Sequence, residues 1–155
     1  VLLAKQRKLK EATRHYSEAL RLNPDSAETH NNLAVTLVEL GEIQAAIVHY
    51  AKALDLQSDY AEAHNNLGNA LSEQGKLKEA LASFAKALEI RPNYPEAQNN
   101  LGVALARQGR LNEAMVHFQE ALRLKPDYAE ARTNLEIALE LMGKTNEATV
   151  TRAHP

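Results

Sequence analysis

The sequence predicts an all-α fold in which antiparallel helix pairs stack into an α-solenoid, and three observations support this prediction. The chain of 155 residues repeats itself every 34 residues, which is a typical length for a helix–turn–helix unit. Apolar residues recur at the spacing i, i+3, i+4 that marks one face of a helix. Alanine, leucine and glutamate dominate while aromatic residues make up only 5%, a composition that favours helix over strand.

Equivalent residues return at a constant shift of 34 positions along nearly the whole chain. The tetrapeptide Asn-Asn-Leu-Gly at residues 65–68, for example, returns at residues 99–102. Other columns are glycine at 41, 75, 109 and 143, alanine at 12, 46, 80, 114 and 148, alanine at 19, 53, 87 and 121, and an aromatic at 16, 50, 84 and 118. These columns predict five helix pairs, of which the first is truncated.

The first helix of each unit is exemplified by the stretch that begins at Ala61. Asp59 is expected to cap this helix, because aspartate readily accepts a hydrogen bond from the first free N–H groups. The same column holds Asp25, Asn93 and Asp127. An apolar stripe at residues 67, 70 and 71 then follows the helical period, and Gly75 is expected to end the helix.

The second helix of the unit follows after a short turn, so the two helices are expected to run antiparallel. Its apolar stripe lies at residues 77, 80, 81, 84, 87 and 88. Pro92 ends it, because proline cannot continue a helix and also restricts Arg91 before it. Gly68 and Ala80 are expected to let the two helices approach closely, with Phe84 filling the space between neighbours. One pair cannot bury both stripes, so stacking is required.

Composition and spacing exclude several classes of function. The net charge of −2 gives no reason to expect a nucleic acid or an anionic membrane as partner, and no apolar run is long enough for a transmembrane span. Cysteine is absent, which excludes disulfides and thiol catalysis but chooses no compartment, with the cytoplasm slightly favoured. No two histidines are spaced i, i+4, and each glycine stands alone. We therefore expect no metal, no cofactor and no enzymatic activity.

These columns resemble the tetratricopeptide repeat, a family with a Leu-Gly pair, a small residue, an aromatic, a second alanine and a closing proline. The unit at 61–94 supplies all of them, as does the unit at 95–128. Departures are Ser58 in place of proline, Ala34 in place of glycine, and a histidine, glutamine or arginine in place of an early aromatic at 30, 64, 98 and 132. The resemblance implies a right-handed superhelix with the first helices on its concave side. In style the repeats look most like those of O-GlcNAc transferase and similar bacterial proteins, whose catalytic domain lies outside the repeats.

Asparagine is frequent in the first helices although it is a poor helix former, so its presence needs a reason. The first asparagine column is Asn31, Asn65 and Asn99. The second asparagine column, unbroken over four units, is Asn32, Asn66, Asn100 and Asn134, and Asn69 stands in the next polar position. By resemblance to the asparagine ladder of the O-GlcNAc transferase repeats, these amides are predicted to hold the backbone of an extended peptide. The alternative left open is that they cap turns or bridge neighbouring repeats.

A glutamate column occupies the expected first turns of the first helices, at residues 28, 62, 96 and 130. Its simplest role is to interact favourably with the positive end of the helix, and if it also faces the groove it would favour a neutral or basic ligand. Repeats that bind chaperone tails instead present lysine and arginine along these helices. A ligand that binds through its C-terminal carboxylate is therefore not expected.

The two ends of the chain depart from the repeat. We expect a single repeat domain over 1–155, with a truncated repeat at 1–26, full repeats at 27–60, 61–94 and 95–128, and a degraded capping repeat at 129–155. Residues 1–4 look like the last turn of a first helix, followed by a partner helix over 9–22, as in a fragment of a longer protein. In the last unit Glu136 replaces glycine, Thr145 an apolar residue and Arg152 an aromatic. The N-terminal edge is expected to expose apolar surface and to promote self-association.

The leading functional prediction is a protein-interaction scaffold that binds an extended peptide or partner segment in its groove. One alternative is the non-catalytic, substrate-presenting repeat region of a larger enzyme such as a glycosyltransferase. Another is a self-assembling structural repeat protein.

Overall fold

The computed structural model describes the backbone of residues 2–152 and the side chains of residues 5–143. Within that part of the chain the fold is all-α, with eight helices and no strand. The helices are α1 (Leu2–Leu22), α2 (Ala27–Glu39), α3 (Ile43–Leu56), α4 (Ala61–Glu73), α5 (Leu77–Ile90), α6 (Pro95–Arg107), α7 (Leu111–Leu124) and α8 (Ala129–Arg152). None of the helices so described combines the length and the apolar content that crossing a membrane requires.

The helices form two compact units, which divide between residues 90 and 91. In unit 1, α2 pairs with α3 and α4 pairs with α5, while α1 packs on α2 and α3 packs on α4. In unit 2, α6 pairs with α7, and α8 packs on both of them. The first helices of consecutive repeats also touch directly, α2 with α4 and α6 with α8. Each unit therefore shows the stacked helix pairs that the 34-residue period predicts.

Glycine ends the first helix in each of the three complete pairs, as expected for Gly75. Gly41, Gly75 and Gly109 have φ angles of 80°, 74° and 78°, a left-handed conformation that side chains disfavour. Around Gly75 the backbone closes on itself, since the N–H of Lys76 donates to the carbonyl of Leu71 over 3.0 Å. This arrangement satisfies carbonyl groups at the helix end and turns the chain back within three residues.

The core is built from alanine and leucine columns with one large ring in each pair. In unit 1 it includes Leu33, Leu37 and Tyr50, all buried. A β-carbon on Gly68 would lie 2.5 Å from Cε1 of Phe84, and one on Gly102 would lie 2.6 Å from Cε1 of Phe118. The expectation that glycine lets the helices approach, with the aromatic ring filling the space, is confirmed.

The predicted N-caps were wrong by one position. Asp25, Asp59, Asn93 and Asp127 lie in the turns or bends that precede the first helices. The caps are the next residues, namely Ser26 on α2, Tyr60 on α4 and Tyr94 on α6. Of these three, Ser26 makes a side-chain cap, with its oxygen accepting from the N–H of Thr29. Aspartate suits a turn as well as a cap, so residue type alone did not fix the register.

The predicted five helix pairs were also wrong, because each end of the described chain carries one uninterrupted helix. A separate last turn at residues 1–4 and a partner helix at 9–22 were expected, whereas α1 runs unbroken from Leu2 to Leu22. Arg7 stands at the position that Gly41 occupies one repeat later, and an arginine does not favour the left-handed turn. At the other end, α8 continues through Gly143, whose φ is not positive. The side chains of Thr145 and Arg152, and the N-terminal edge at residues 1–4, lie outside the described side chains.

Candidate functional site

The two asparagine columns lie side by side on the first helices but differ in burial. In the first asparagine column, Asn31 and Asn99 are 0% exposed and Asn65 is 5% exposed. The second asparagine column is half-buried at all four positions, and Asn69 is exposed. Adjacent residues of a helix point about 100° apart. The second column and Asn69 are therefore the amides that retain access to solvent.

The two columns are joined by hydrogen bonds between consecutive repeats. In unit 1 the Nδ2 of Asn66 donates to the Oδ1 of Asn31 over 3.3 Å. In unit 2 the Nδ2 of Asn134 donates to the Oδ1 of Asn99 over 2.9 Å. Each such bond uses one of the two N–H donors of the second-column amide, whose carbonyl oxygen is a further acceptor. The bridging alternative thus describes part of what these asparagines do.

A tyrosine from the preceding loop completes each junction. Tyr60 lies beside Asn31 and Tyr128 beside Asn99, and each amide lowers the pKa of its tyrosine against the larger effect of burial. Asn99 also donates from Nδ2 to the carboxylate of Glu130 over 3.1 Å. Among the described side chains the Nδ2 of Asn31 is buried without a hydrogen-bond partner. Asn31 and Asn99 thus form buried junctions, and their burial, together with that of Asn65, favours a structural role for the first column.

Both junction tyrosines are held in their neutral form by their surroundings. Burial raises the pKa of Tyr60, and the carboxylates of Glu62 and Glu28 add to that effect. Burial raises the pKa of Tyr128 to about 12, with further contributions from Glu130 and Glu96. Two glutamates of successive repeats therefore flank each tyrosine.

An apolar cleft lies beside the second asparagine column in unit 1. It has a volume of about 160 Å³ between α2 and α4, with the ring of Tyr50 from α3. It is lined by Val35, Val38, Glu39, Tyr50, Asn66, Asn69 and Ala70. Two of the predicted binding residues, Asn66 and Asn69, thus share one cleft. Asn32, which is half-buried on α2, is not among the lining residues.

Unit 2 contains the equivalent cleft, displaced by two repeats. Its volume is about 210 Å³, and its walls come from α6, α7 and α8. It is lined by Val103, Ala106, Arg107, Leu111, Phe118, Asn134, Ile137, Ala138 and Leu141. Asn134 holds the position that Asn66 holds in unit 1. A solvent-accessible amide beside an apolar cleft is therefore a recurring feature.

The glutamate column lies in the first turns of α2, α4, α6 and α8, as predicted. Its members interact with more than the helix ends. Lys125 lies 3.6 Å from the carboxylate of Glu96, and its ammonium also stands 4.9 Å from the ring centre of Tyr128. In this repeat a cation of the chain itself thus lies between a carboxylate and an aromatic ring.

A contact between two histidines was missed by the sequence reasoning. The Nδ1 atoms of His30 on α2 and His49 on α3 lie 3.0 Å apart, and the rings are stacked. The Nε2 of His30 lies 3.0 Å from the carbonyl of Pro24, which can only accept, so that nitrogen carries a proton. With a neutral His30 ring, His49 donates from Nδ1 to His30. Both rings are thus used in packing the repeat.

The same position fastens the preceding loop in other repeats. The Nε2 of His64 donates to the carbonyl of Ser58 over 3.0 Å, and Arg132 donates to that of Pro126 over 2.7 Å. His30, His64 and Arg132 therefore share a structural task, whereas the Oε1 of Gln98 lies 2.8 Å from the Nδ1 of His117. Among the described residues, no group of three or more His, Asp and Glu side chains is placed to hold a metal ion.

The sequence matches models of one repeat family over most of its length. A model described as TPR repeat matches residues 2–41, 36–75 and 68–109, and one described as tetratricopeptide repeat matches residues 95–128. Together these matches cover residues 2–128. A comparison with proteins of curated function finds no match.

Solved structures share the fold along the chain. The crystal structure of MamA superposes with a TM-score of 0.83 at 25% identity, covering 94% of this chain and 85% of MamA. PilF of Pseudomonas aeruginosa gives a TM-score of 0.82 at 26% identity, covering 91% and 64%. YrrB, described as a TPR protein with an unusual peptide-binding site, gives 0.75 at 28% identity, covering 84% and 67%. The helix pairs are therefore those of a TPR solenoid.

Proposed function

Because this chain belongs to the tetratricopeptide repeat family, whose members are generally non-catalytic interaction modules, we propose that it binds an extended peptide segment of a partner protein along its first helices. The observation that carries this proposal is the recurrence of one arrangement in both units. A half-buried asparagine amide, Asn66 or Asn134, borders an apolar cleft between the first helices of consecutive repeats. In this proposal the chain itself catalyses no reaction.

The asparagine amide and the apolar cleft are proposed to bind different parts of the peptide, because their chemistry differs. An amide side chain offers donors and an acceptor, which match the N–H and C=O of a peptide backbone whatever its sequence. The adjoining cleft removes an apolar side chain of the same segment from water. Asn32, Asn66, Asn100, Asn134 and Asn69 are the proposed backbone contacts. Asn31 and Asn99 hold the amides of Asn66 and Asn134 in place from below.

One of the structural neighbours supports the proposal. YrrB is described as having a peptide-binding site, and it is 28% identical to this chain over 84% of the chain's length. The resemblance of these repeats to those of O-GlcNAc transferase stays a prediction from the sequence.

The test starts from a displayed library of random 12-residue peptides, selected on the intact chain. Asn66→Ala and Asn134→Ala are then compared with the unchanged protein by isothermal titration with the selected peptides. Loss of one hydrogen bond of about 1 kcal/mol corresponds to roughly fivefold weaker binding. The matched control is Asn112→Ala, since Asn112 is exposed on the second helix α7. Unchanged affinity in both variants, with helicity retained by circular dichroism, would refute the role of the amides.

Self-association is a second candidate, and one observation favours it. Leu139 on α8 is 54% exposed, whereas Leu105, one repeat earlier, is 3% exposed. In addition, none of the described residues of α1 is buried. We propose that a second copy covers such apolar surface at high concentration. Light scattering over a concentration series checks this, and a monomeric mass throughout would contradict it.

A further inference from the structure

Exposed large apolar side chains are concentrated on α8. Ile137 is 50% exposed and Leu141 is 45% exposed, and both line the cleft of unit 2. Leu141 stands one turn beyond Ile137, so the two form a short apolar strip on one helix face. Such a strip beside a concave apolar wall is unusual for a surface that contacts only water.

The clefts of the two units differ at four equivalent positions, although Asn66 in unit 1 and Asn134 in unit 2 are equivalent. The smallest difference is Val38 in unit 1 against Ala106 in unit 2. Where unit 1 has Asn69, unit 2 has Ile137. The hydroxyl-bearing Tyr50 is replaced by Phe118, and the acidic Glu39 is replaced by Arg107. Unit 2 adds Leu111 and Leu141 to the wall. The cleft of unit 2 is therefore larger and more aliphatic, and it carries no carboxylate.

From this difference we infer that the unit 2 cleft is a specificity pocket for one aliphatic side chain, such as leucine, isoleucine or methionine, of the bound peptide segment. The inference rests on the proposed function and specifies its partner. Asn134 bonds the backbone at the mouth while the side chain enters between Val103, Phe118 and Ile137. A lysine at the same peptide position is rejected, because its charge would lose water in an apolar wall that carries Arg107.

The specificity test uses the same 12-residue library, selected in parallel on the unchanged chain and on Ile137→Asn. The variant gives the unit 2 cleft the residue that unit 1 carries at the equivalent position, Asn69. Peptides selected on the unchanged chain are expected to share one aliphatic position. Replacing that residue by alanine is expected to weaken binding about tenfold or more, and by lysine further still. On Ile137→Asn the difference between the aliphatic and the alanine peptide is expected to fall below about threefold.

A second test variant and a matched control complete the experiment. Leu141→Gln should reduce the same aliphatic preference, since Leu141 lines the same wall. The matched control is Val116→Asn, which should leave the preference in place, because Val116 on α7 is 62% exposed and does not line the cleft. If peptides bind but show no aliphatic position, or if Ile137→Asn preserves a tenfold difference, the pocket is refuted while the scaffold function stands. If no peptide binds the unchanged chain, the proposed function itself fails.

Discussion

Replacing Gly68 by alanine tests whether the close approach of α4 and α5 depends on the missing β-carbon. A methyl group at this position would lie 2.5 Å from Cε1 and 2.7 Å from Cδ1 of Phe84. Phe84 is 1% exposed, so its ring has little room to withdraw. Overpacking of a core costs about 1–3 kcal/mol, while alanine gains about 1 kcal/mol over glycine from helix propensity. We therefore expect a net loss of about 1 kcal/mol in the free energy of unfolding.

The free energy of unfolding is measured by urea unfolding followed by circular dichroism. In thermal unfolding, a loss of 1 kcal/mol at this chain length corresponds to a drop in Tm of about 2–4 °C. Gly143→Ala is the control, because a β-carbon there meets nothing within 4 Å and the residue lies inside α8. It should be neutral or stabilising. In a Phe84→Leu background the cost of Gly68→Ala should shrink, since the clashing ring is gone. A Gly68→Ala protein as stable as the unchanged chain would refute the reasoning.

Three further perturbations have defined outcomes. Gly75→Ala should lower the free energy of unfolding by about 1 kcal/mol through its φ of 74° alone, and Gly75→Asn should cost less, as urea unfolding can measure. Burial lowers the pKa of both His49 and His117, so the folded protein binds fewer protons than the unfolded chain. Stability should thus be level above about pH 6.5 and fall below it, and His49→Gln should remove part of that fall in unfolding curves taken from pH 7.5 to pH 5. Asn134→Ala should destabilise by about 1–3 kcal/mol, because the buried oxygen of Asn99 loses its donor, whereas a simultaneous Asn99→Leu should restore part of the loss.

The helices and turns within each repeat could be predicted from the sequence, because the residues that determine them are close in the sequence and recur every 34 positions. A glycine column ended every first helix of the complete pairs, and a small residue opposite a large ring set the helix spacing. The sequence also contained evidence against a helix break near the N-terminus, since Arg7 stands where the glycine column would require a glycine. Burial of the first asparagine column had a signal as well, because Asn31 lies three residues before the buried Ala34 and so shares its face.

Contacts between side chains of different helices were harder to predict from the sequence. His30 and His49 are 19 positions apart, and no short spacing rule links them; their meeting depends on how α2 and α3 cross. The clefts depend likewise on three helices at once, so a column analysis could identify Asn66 and Asn134 but not the walls beside them. The N-cap register failed for a different reason, since aspartate is favoured both in turns and at caps.

The bond from Asn66 to Asn31 joins residues 35 positions apart, and so does the bond from Asn134 to Asn99. Removing 34 residues from the middle of the chain would bring another second-column asparagine to the same acceptor, so that the junction would be rebuilt with identical chemistry. A deletion whose length is not a multiple of 34 residues would place a residue of a different column opposite that acceptor. The hydrogen bonds between asparagines are therefore retained when the chain gains or loses whole repeats, and they select against insertions and deletions of other lengths.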